Sequence, residues 1–490
     1  MYIINEDTIC APATVPGTGA ISVIRISGPD ALAIADKVIS CRRGSISESK
    51  GYTIRFGTVN TADGCVIDEV LASVFRAPHS YTGEDSVEIS CHASTYIVSE
   101  VLSLLYEAGA RAAEPGEFTQ RAFLNGKMDL AQAEAVANVI ASQNAAAHRI
   151  AFKQMKGGFS SELRDMRSEL LELVSLMELE LDFSEEEVEF ADRSRLDSLL
   201  EEITAHAGRL IDSFRLGNAI KNGVPVAIAG ATNTGKSTLL NALLGEDRAI
   251  VSDVHGTTRD TIEETLNIDG VLFRFIDTAG LRETTETVEK IGIERTFKKI
   301  SEASIVLGMI DLTREFESTC ETVREIIGKV DFATQKLMIL LNKTDISGEN
   351  NIVNISNFIV SELDNKGIKA LSVNMTNFAD LSSLTVCPII PISAKTGSGI
   401  TELRTILASS QRDLLGDSDT TLVTNQRHVQ ALTDARTSLL RVREGLAAGL
   451  PTDLAAQDIR EAIYHIGSIV GEISTDEVLG NIFANFCIGK

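Results

Sequence analysis

The sequence predicts a multidomain protein with an α+β N-terminal domain, an all-α helical domain, and an α/β domain inserted into the helical one. Its 490 residues exceed what a single hydrophobic core usually supports. Strand-like apolar runs alternate with helical stretches between about 223 and 408, which is typical of a parallel α/β sheet. Long amphipathic helical patterns flank that segment on both sides. Since each flanking half would expose an apolar stripe by itself, we expect the two halves to pack together.

Residues 1–125 predict the α+β domain. Runs rich in β-branched and apolar residues, bounded by Gly, Pro or Asp, predict strands at 21–26, 52–59, 66–75 and 86–90. Helical patterns lie at 31–38 and 95–108.

The other domains are separated by changes in sequence pattern. Residues 126–220 form the first helical part, in which the Ala-rich stretch 128–154 has few helix breakers. Residues 221–410 form the α/β domain, and residues 411–490 form the second helical part. The Asn- and Ser-rich stretch 346–388 is predicted to be extra loop in the α/β domain, and its function stays open.

The composition limits the classes of function. The net charge is −24, from 69 acidic and 45 basic residues, which argues against a broad, nonspecific nucleic-acid surface but leaves a local basic patch open. No run approaches the roughly 18 apolar residues of a membrane span. The first residues show no targeting signal, so we expect a cytoplasmic protein without a membrane segment. The seven cysteines lack the Cys-x-x-Cys spacing that would indicate a zinc site or a disulfide framework.

The α/β segment begins with a phosphate-binding loop. An apolar run at 224–229 leads into Gly230-Ala-Thr-Asn-Thr-Gly-Lys-Ser237 and then a helical pattern, a full match to Gly-x4-Gly-Lys-[Ser/Thr] in the required context. The glycines let backbone N–H groups surround the phosphates. Lys236 would reach the β- and γ-phosphates, and the Ser237 hydroxyl would bind Mg²⁺. The loop therefore predicts a site for a nucleoside triphosphate.

Three later motifs, in the expected order, specify the nucleotide. Asp-Thr-Ala-Gly at 277–280 ends an apolar strand, where an acidic residue can hold Mg²⁺. Asn-Lys-Thr-Asp at 342–345 ends another strand, and its final carboxylate can accept two hydrogen bonds from guanine that adenine cannot offer. The backbone of Ser-Ala-Lys at 393–395 can meet the guanine O6. Together the four motifs predict a P-loop G domain that binds and hydrolyses GTP.

The hydrolytic residues depart from the Ras-like pattern. Leu281 stands where Ras-like proteins carry a Gln that orients water. Glu283 is the nearest acidic candidate for this catalytic role, although the sequence alone allows a solvated loop residue. In the switch segment, Thr258 is predicted as the second hydroxyl ligand of Mg²⁺. The Asn233 carbonyl oxygen would lie near the triphosphate, where a monovalent cation could neutralise charge as an arginine would.

The residues predicted to contact GTP are Asn233, Thr234, Gly235, Lys236, Ser237, Thr238, Ser252, Asp253, Val254, His255, Gly256, Thr257, Thr258, Asp277, Thr278, Ala279, Gly280, Asn342, Lys343, Asp345, Ser393, Ala394 and Lys395.

Segments outside the G domain carry a resemblance to one family. They include Val-Ile-Arg-Ile-Ser-Gly at 23–28, Tyr-Thr-Gly-Glu-Asp at 81–85, Arg-Ala-Phe-Leu-Asn at 121–125 and Phe-Cys-Ile-Gly-Lys at 486–490. Along essentially its whole length the chain resembles the MnmE (TrmE) family of tRNA modification GTPases. The resemblance implies a homodimer whose N-terminal domain mediates dimerisation and binds a 5-formyl- or methylene-tetrahydrofolate. It also implies a heterotetramer with an MnmG (GidA) partner that uses FAD and NADH. That complex modifies carbon 5 of the wobble uridine in certain tRNAs, with potassium-stimulated GTP hydrolysis.

The resemblance also assigns roles to individual residues. It implies K⁺ ligands at Asn233, Ser252, Val254 and Thr257, and a water-orienting role for Glu283. It associates Arg25, Glu88, Lys127 and Lys490 with folate, and Cys487 with the modification. By themselves, Arg25 and Glu88 also fit ordinary strand surface residues. The chain departs from the family at Thr232, where Pro is common, and at Ser252, where Thr is common.

A second class of function stays open at this point. In an Era- or Der-like ribosome-assembly GTPase, the nucleotide only switches affinity for RNA. Such a protein would carry a basic C-terminal RNA module or a second G domain, whereas this chain has one phosphate-binding loop and an acidic balance.

Overall fold

The computed structural model describes residues 7–61, 63–182, 193–245, 264–276, 301–372, 383–411, 421–449, 452–473 and 476–484, together with residues 486 and 489. The chain divides into two compact units. Unit 1 comprises Met1–Ala141, Ala151–Ile211 and Gln426–Lys490, and unit 2 comprises Ser142–Ile150 and Asp212–Asn425. Unit 2 thus lies in sequence between parts of unit 1, and the predicted fold class is confirmed. The four predicted domain boundaries stay a prediction. Among the described helices, none has both the length and the apolar character needed to cross a membrane.

Unit 1 contains a seven-stranded sheet in the order β3-β4-β5-β6-β2-β1-β7. The strands are β1 Ile9–Pro12, β2 Ile21–Ser27, β3 Ile39–Cys41, β4 Thr53–Asn60, β5 Val66–Phe75, β6 Ser86–His92 and β7 Arg111–Ala112. Side chains alternate between the two faces of each strand. On one face Ile24, Ile26, Val87 and Ile89 are buried, in a core shared with helices α1 (Ala31–Val38) and α2 (Thr95–Glu107). The other face is free to carry polar side chains.

Helices make up the rest of unit 1 and run partly into unit 2. They are α3 Glu117–Leu124, α4 Leu130–Ala141, α5 Ala145–Met155, α6 Gly158–Asp182, α7 Arg193–Asn222, α12 Gln426–Ala447, α13 Thr452–Val470 and α14 Asp476–Phe483. Ion pairs join helices that lie far apart in sequence, among them Arg167 with Glu472 at 2.9 Å and Arg443 with Asp197 at 3.1 Å. The two helical halves therefore pack together, as predicted.

The Ala-rich stretch 128–154 forms two helices. Helix α4 ends at Ala141 and α5 begins at Ala145. The Asn144 Oδ1 accepts a hydrogen bond from the N–H of Ala147 at 2.7 Å. An Asn side chain at this position satisfies a backbone donor that the first turn of a helix leaves open. The same bond favours a new helix start over continuation of the old helix.

A buried ionic cluster links the two helical halves. The Glu134 carboxylate accepts hydrogen bonds from Arg427 at 3.1 Å and from the His428 Nε2 at 2.5 Å. Glu134 is 8% exposed and His428 is 3% exposed. Burial alone would raise the pKa of Glu134, but the attraction and hydrogen bonds of His428 and Arg427 outweigh it and lower that pKa to about 2. Arg427 also donates to the carbonyls of Ser468 and Ile469 near the end of α13.

Unit 2 contains a seven-stranded sheet in the order β13-β14-β12-β11-β8-β10-β9. Its strands are β8 Val224–Ala229, β9 Glu264–Ile268, β10 Val271–Phe275, β11 Ile305–Asp311, β12 Lys336–Asn342, β13 Lys369–Ser372 and β14 Val386–Pro391. Its further helices are α8 Lys236–Leu244, α9 Phe316–Lys329, α10 Glu349–Asp364 and α11 Ile400–Ser410. Every described pair is parallel except β9 with β10. All residues of β11 and β12 are buried, as expected for a parallel sheet covered on both faces.

The strand order changes direction at β8. Strands that come later in the chain lie on both of its sides, β10 on one and β11 on the other. In open α/β sheets, ligands bind beyond the carboxyl ends of the strands at such a switch point. The loop after β8 therefore lies where a ligand crevice is expected.

The stretch 346–388 is not simply extra loop, which corrects the prediction. It contains helix α10 and strand β13. Ile355, Ile359 and Leu363 are fully buried at four-residue spacing, so one apolar face anchors α10 despite its Asn- and Ser-rich sequence. Residues 373–382 lie outside the described part of the chain.

Candidate functional site

The loop between β8 and α8 follows the carboxyl edge of the unit 2 sheet. At Gly230 a Cβ atom would lie 2.5 Å from the Met309 carbonyl oxygen. At Gly235, which has a φ of +98°, a Cβ atom would lie 2.6 Å from the Asn342 Nδ2. Glycine is therefore required at both positions by close approach. The loop leads into the N-terminus of α8, where backbone N–H groups and the helix dipole favour an anion such as phosphate.

The Asn342 side chain joins this loop to the segment 393–395. Its Nδ2 donates to the Thr234 carbonyl at 2.7 Å, and its Oδ1 accepts from the Ala394 N–H at 3.0 Å. Asn342 is 3% exposed, so leaving either bond unmade would carry the full cost of a buried, unsatisfied group. The residues predicted to hold the phosphates and those predicted to recognise guanine thus meet at one side chain.

The segment 392–398 and the motif 342–345 are held together by further hydrogen bonds. The N–H and hydroxyl of Thr344 both donate to the Ile392 carbonyl, at 3.2 and 3.0 Å. The Ser393 N–H donates to the Ser398 carbonyl at 2.9 Å. Ser393 and Ala394 are buried, whereas Asp345 and Lys395 are exposed. The exposed Asp345 carboxylate is therefore available to a ligand, as recognition of a base requires.

Lys236 contacts the carbonyl groups of its own loop. Its Nζ donates to the carbonyls of Gly230 at 2.9 Å and Ala231 at 2.8 Å. Burial, and secondarily the charge of Arg314, lower the pKa of Lys236 from its usual value. A bound triphosphate would compete with these two carbonyls for the ammonium group. Among the other predicted residues of this loop, Asn233 and Thr238 are exposed, Thr234 is buried, and Ser237 is half-buried at the start of α8.

Two residues that sequence reasoning missed lie beside the loop. Asp311, at the carboxyl end of β11, accepts a hydrogen bond from the Lys343 Nζ at 2.6 Å. Burial raises the pKa of Asp311, but hydrogen bonds from Lys343 and Thr313 outweigh it and lower that pKa. Arg314 donates to the Thr232 carbonyl. The sequence does offer one signal for Asp311: an acidic residue ends a buried apolar strand, at the sheet edge where the four motifs also lie.

A second cluster of predicted residues lies on the face of the unit 1 sheet opposite the core. Arg25 on β2 and Glu88 on β6 are directly opposite in register, and Arg25 donates to the Glu88 Oε1 at 2.8 and 3.0 Å. The Arg25 guanidinium lies 5.1 Å from the Tyr81 ring centroid and 5.6 Å from that of Phe118. The two rings were not predicted from the sequence. Together these groups form a partly exposed ion pair beside two aromatic faces.

Lys127 is not brought into contact with that ion pair. Its Nζ donates to the Pro78 carbonyl at 2.9 Å. Near the C-terminus, the Gly489 carbonyl accepts from the Arg25 Nη1 at 3.5 Å. Among the folate residues in the described part of the chain, which are Arg25, Glu88 and Lys127, the structure therefore pairs only Arg25 with Glu88.

Several predicted residues lie outside the described part of the chain. They are Ser252, Asp253, Val254, His255, Gly256, Thr257, Thr258, Asp277, Thr278, Ala279, Gly280, Glu283, Cys487 and Lys490. Their roles stay predictions.

Comparison with family models covers both units. The model of the GTP-binding protein TrmE N-terminus matches residues 8–127, and the model of the MnmE helical domain matches residues 130–487. The chain belongs to the MnmE family of tRNA modification GTPases. MnmE relatives from Bacteroides thetaiotaomicron and Parabacteroides distasonis are each 51% identical over 99% of this chain and 100% of their own length. The relative from Flavobacterium johnsoniae is 50% identical over 100% of both chains. Each of the three is described as the tRNA modification GTPase MnmE.

A solved structure of Aquifex aeolicus Era is 25% identical over 44% of this chain and 66% of that chain, with a TM-score of 0.27. A score this low supports no conclusion. The MnmE assignment rests on the family models and on the full-length relatives.

Proposed function

We propose that the chain binds GTP at the carboxyl edge of the unit 2 sheet and hydrolyses it in the course of tRNA modification. The observation that carries the proposal is the Asn342 side chain, which links the phosphate-binding loop to the segment 393–395. The Asp345 carboxylate, exposed beside it, accepts the guanine N1–H and exocyclic amine. When the nucleotide binds, the Lys236 ammonium group exchanges its hydrogen bonds to the loop carbonyls for contacts with the β- and γ-phosphates.

Magnesium and potassium fit the residue types at this site. Mg²⁺ prefers hard oxygen ligands, which the hydroxyls of Ser237 and Thr258 supply. Asn233 presents an exposed side chain from the loop, and its amide oxygen suits K⁺, with Ser252, Val254 and Thr257 as further ligands. Bound cations would supply positive charge where negative charge develops on the phosphates. Glu283 would orient the attacking water.

Potassium stimulation gives the first test. GTP turnover by the wild-type protein is expected to be several-fold faster in KCl than in NaCl. The variant Asn233→Ala should lose about tenfold in KCl, which equals about 1.4 kcal/mol of transition-state stabilisation. The measurement is phosphate release at matched ionic strength.

Asn354→Ala is the matched control, because Asn354 is an exposed Asn on α10. This variant should retain the wild-type response to KCl. Equal wild-type rates in the two salts would remove the potassium role from the proposal.

The RNA reaction is likewise a proposal. The chain acts with an MnmG-type partner carrying FAD and NADH, in a heterotetramer, on carbon 5 of the wobble uridine of certain tRNAs.

A tetrahydrofolate derivative fits the Arg25–Glu88 face, where a carboxylate suits a pterin and the rings of Tyr81 and Phe118 supply stacking surfaces. Lys127 and Lys490 would serve the folate glutamate, and Cys487 would take part in the modification. Because the RNA substrate is a tRNA, we place the protein in the cytoplasm.

A homodimer is supported by an apolar patch on unit 1. Phe56 on β4 and Leu71 on β5 face each other in register, and with Ile54 they are 37%, 46% and 66% exposed. Exposed apolar side chains that cluster on one sheet face are typical of an interface. We propose that a second copy of the chain covers them.

Nucleoside mass spectrometry tests the RNA reaction. A bacterial strain deleted for this gene is expected to lack the modified wobble uridine and to regain it with the wild-type gene. The Glu88→Gln gene should restore less than about a tenth of the wild-type level of modified uridine, since Gln cannot accept the pair of charge-assisted hydrogen bonds proposed for the pterin, which contribute about 1.5–3 kcal/mol each. The control Glu107→Gln, at an exposed Glu that ends α2, should restore it fully. An unchanged wobble uridine in the deletion strain would refute the proposed reaction.

A further inference from the structure

Arg314 lies in a tight turn directly after β11. The Asp311 Oδ1 accepts hydrogen bonds from the N–H of Thr313 at 2.9 Å and from its hydroxyl at 2.7 Å. The Asp311 carbonyl accepts from the Arg314 N–H at 3.4 Å. Asp311 is itself held by Lys343 at 2.6 Å. These bonds fix the turn, and with it the place from which the Arg314 side chain extends.

The Arg314 guanidinium contacts the middle of the phosphate-binding loop. Its Nη2 donates to the Thr232 carbonyl, a residue 82 positions earlier in the chain. The two preceding carbonyls of the loop, at Gly230 and Ala231, are bound by Lys236. A triphosphate would draw Lys236 away from them, whereas Arg314 follows β11, outside the phosphate-binding loop, and binds a different carbonyl. Arg314 can therefore hold the loop both with and without nucleotide.

The bond acts on the backbone next to Asn233. Asn233 has a φ of +61°, in the left-handed region that residues other than glycine rarely occupy. The Thr232 carbonyl and the Asn233 N–H belong to one planar peptide group. A hydrogen bond to that carbonyl therefore fixes the orientation of the peptide group that enters Asn233, and with it the direction in which the Asn233 side chain leaves the loop.

We propose that Arg314 is a positioning residue that holds Asn233 in the conformation needed to bind a monovalent cation. This inference rests on the potassium-stimulated hydrolysis proposed above. The bond from Arg314 keeps a rare backbone conformation populated before the cation arrives. Without it, only a fraction of the molecules would be competent, and the apparent affinity for the cation would fall by that fraction.

A potassium titration of Arg314→Ala tests the proposal. The K⁺ concentration for half-maximal GTP turnover is expected to rise about threefold to tenfold, as loss of one charge-assisted hydrogen bond at a partly exposed site predicts. The turnover number at saturating K⁺ should stay within about twofold of wild type, because excess cation repopulates the competent loop. A merely structural defect would lower turnover by the same factor at every K⁺ concentration.

Hydrogen–deuterium exchange provides a readout that needs neither cation nor turnover. In NaCl buffer without nucleotide, the peptide covering residues 230–237 should exchange about threefold to tenfold faster in Arg314→Ala than in wild type. Arg314→Met, which keeps the aliphatic stem but lacks the donor, should behave like the Ala variant. Arg324→Ala should match wild type, because Arg324 pairs with Glu362 on helices of the same unit.

The outcomes separate this inference from the proposed function. Absence of K⁺ stimulation in the wild-type protein refutes the potassium role itself. Normal stimulation in wild type, with the same half-maximal K⁺ concentration and the same exchange in Arg314→Ala and Arg314→Met, refutes only the role of Arg314.

Discussion

Replacing Asp345 with Asn is expected to lower kcat/KM for GTP about 100-fold or more, since two charge-assisted hydrogen bonds of about 1.5–3 kcal/mol each are lost. The Asp345 carboxylate only accepts hydrogen bonds, which matches the N1–H and exocyclic amine of guanine. An Asn amide has one donor and one acceptor, and its NH₂ group would oppose the guanine amine. Xanthine has a carbonyl in place of that amine. The same variant should therefore hydrolyse xanthosine triphosphate better than the wild-type protein does.

The measurement is kcat/KM for both nucleotides with both proteins. Asp364→Asn is the matched control, because Asp364 is an exposed Asp at the end of α10 in the same unit. The control should leave both values unchanged. If Asp345→Asn retained wild-type turnover of GTP, the assignment of Asp345 to base recognition would be wrong.

The largest effect on stability is expected at Glu134. Its pKa is about 2 when folded against an ordinary value of 4.5. A group whose pKa is lowered by folding stabilises the folded state above its unfolded pKa, and that stabilisation is lost as pH falls. The difference corresponds to a stabilisation on the order of 3 kcal/mol at pH 7. Glu134→Gln should therefore unfold more easily than wild type at pH 7, by about that amount.

The pH dependence distinguishes this cause from a general packing defect. The difference between wild type and Glu134→Gln should shrink between about pH 5 and pH 2, where the wild-type carboxylate becomes protonated. Urea unfolding of unit 1 at pH 7 and at pH 3 gives the two free energies. Glu444→Gln, an exposed Glu on α12, serves as the control and should differ little from wild type at either pH. A difference that stayed constant with pH would contradict the ionic explanation.

Features that depend on short stretches of sequence were predicted well. The strand 66–75 and the helix 31–38 match β5 and α1 residue for residue, because alternation and helical spacing are read over a few neighbouring positions. The phosphate-binding loop was predicted because its two glycines meet requirements of local backbone geometry. The sequence did not locate the break between α4 and α5, since it depends on the single Asn144 side chain between helical patterns of twelve and eleven residues.

Contacts between distant residues could not be predicted in the same way. Arg25 fitted an ordinary strand surface residue until the register of β2 against β6 placed it opposite Glu88, 63 positions away. The bond from Arg314 to Thr232 likewise depends on β11 lying beside β8. Neither residue belongs to a local pattern. Their partners follow from the order of strands in the sheet, which spacing along the chain does not determine.

The two hydrogen bonds of Asn342 also limit how this site can evolve. Its position requires a side chain that presents one donor and one acceptor at the end of a single short stem, facing the Thr234 carbonyl and the Ala394 N–H. The codons for Asn lie one base change from those for Asp, His, Ile, Lys, Ser, Thr and Tyr, and none of these side chains offers that fork at that length. Every single-base change that replaces Asn342 therefore leaves a buried partner unsatisfied. Only the silent exchange between the two Asn codons is neutral, so the residue itself has no single-step route to another amino acid.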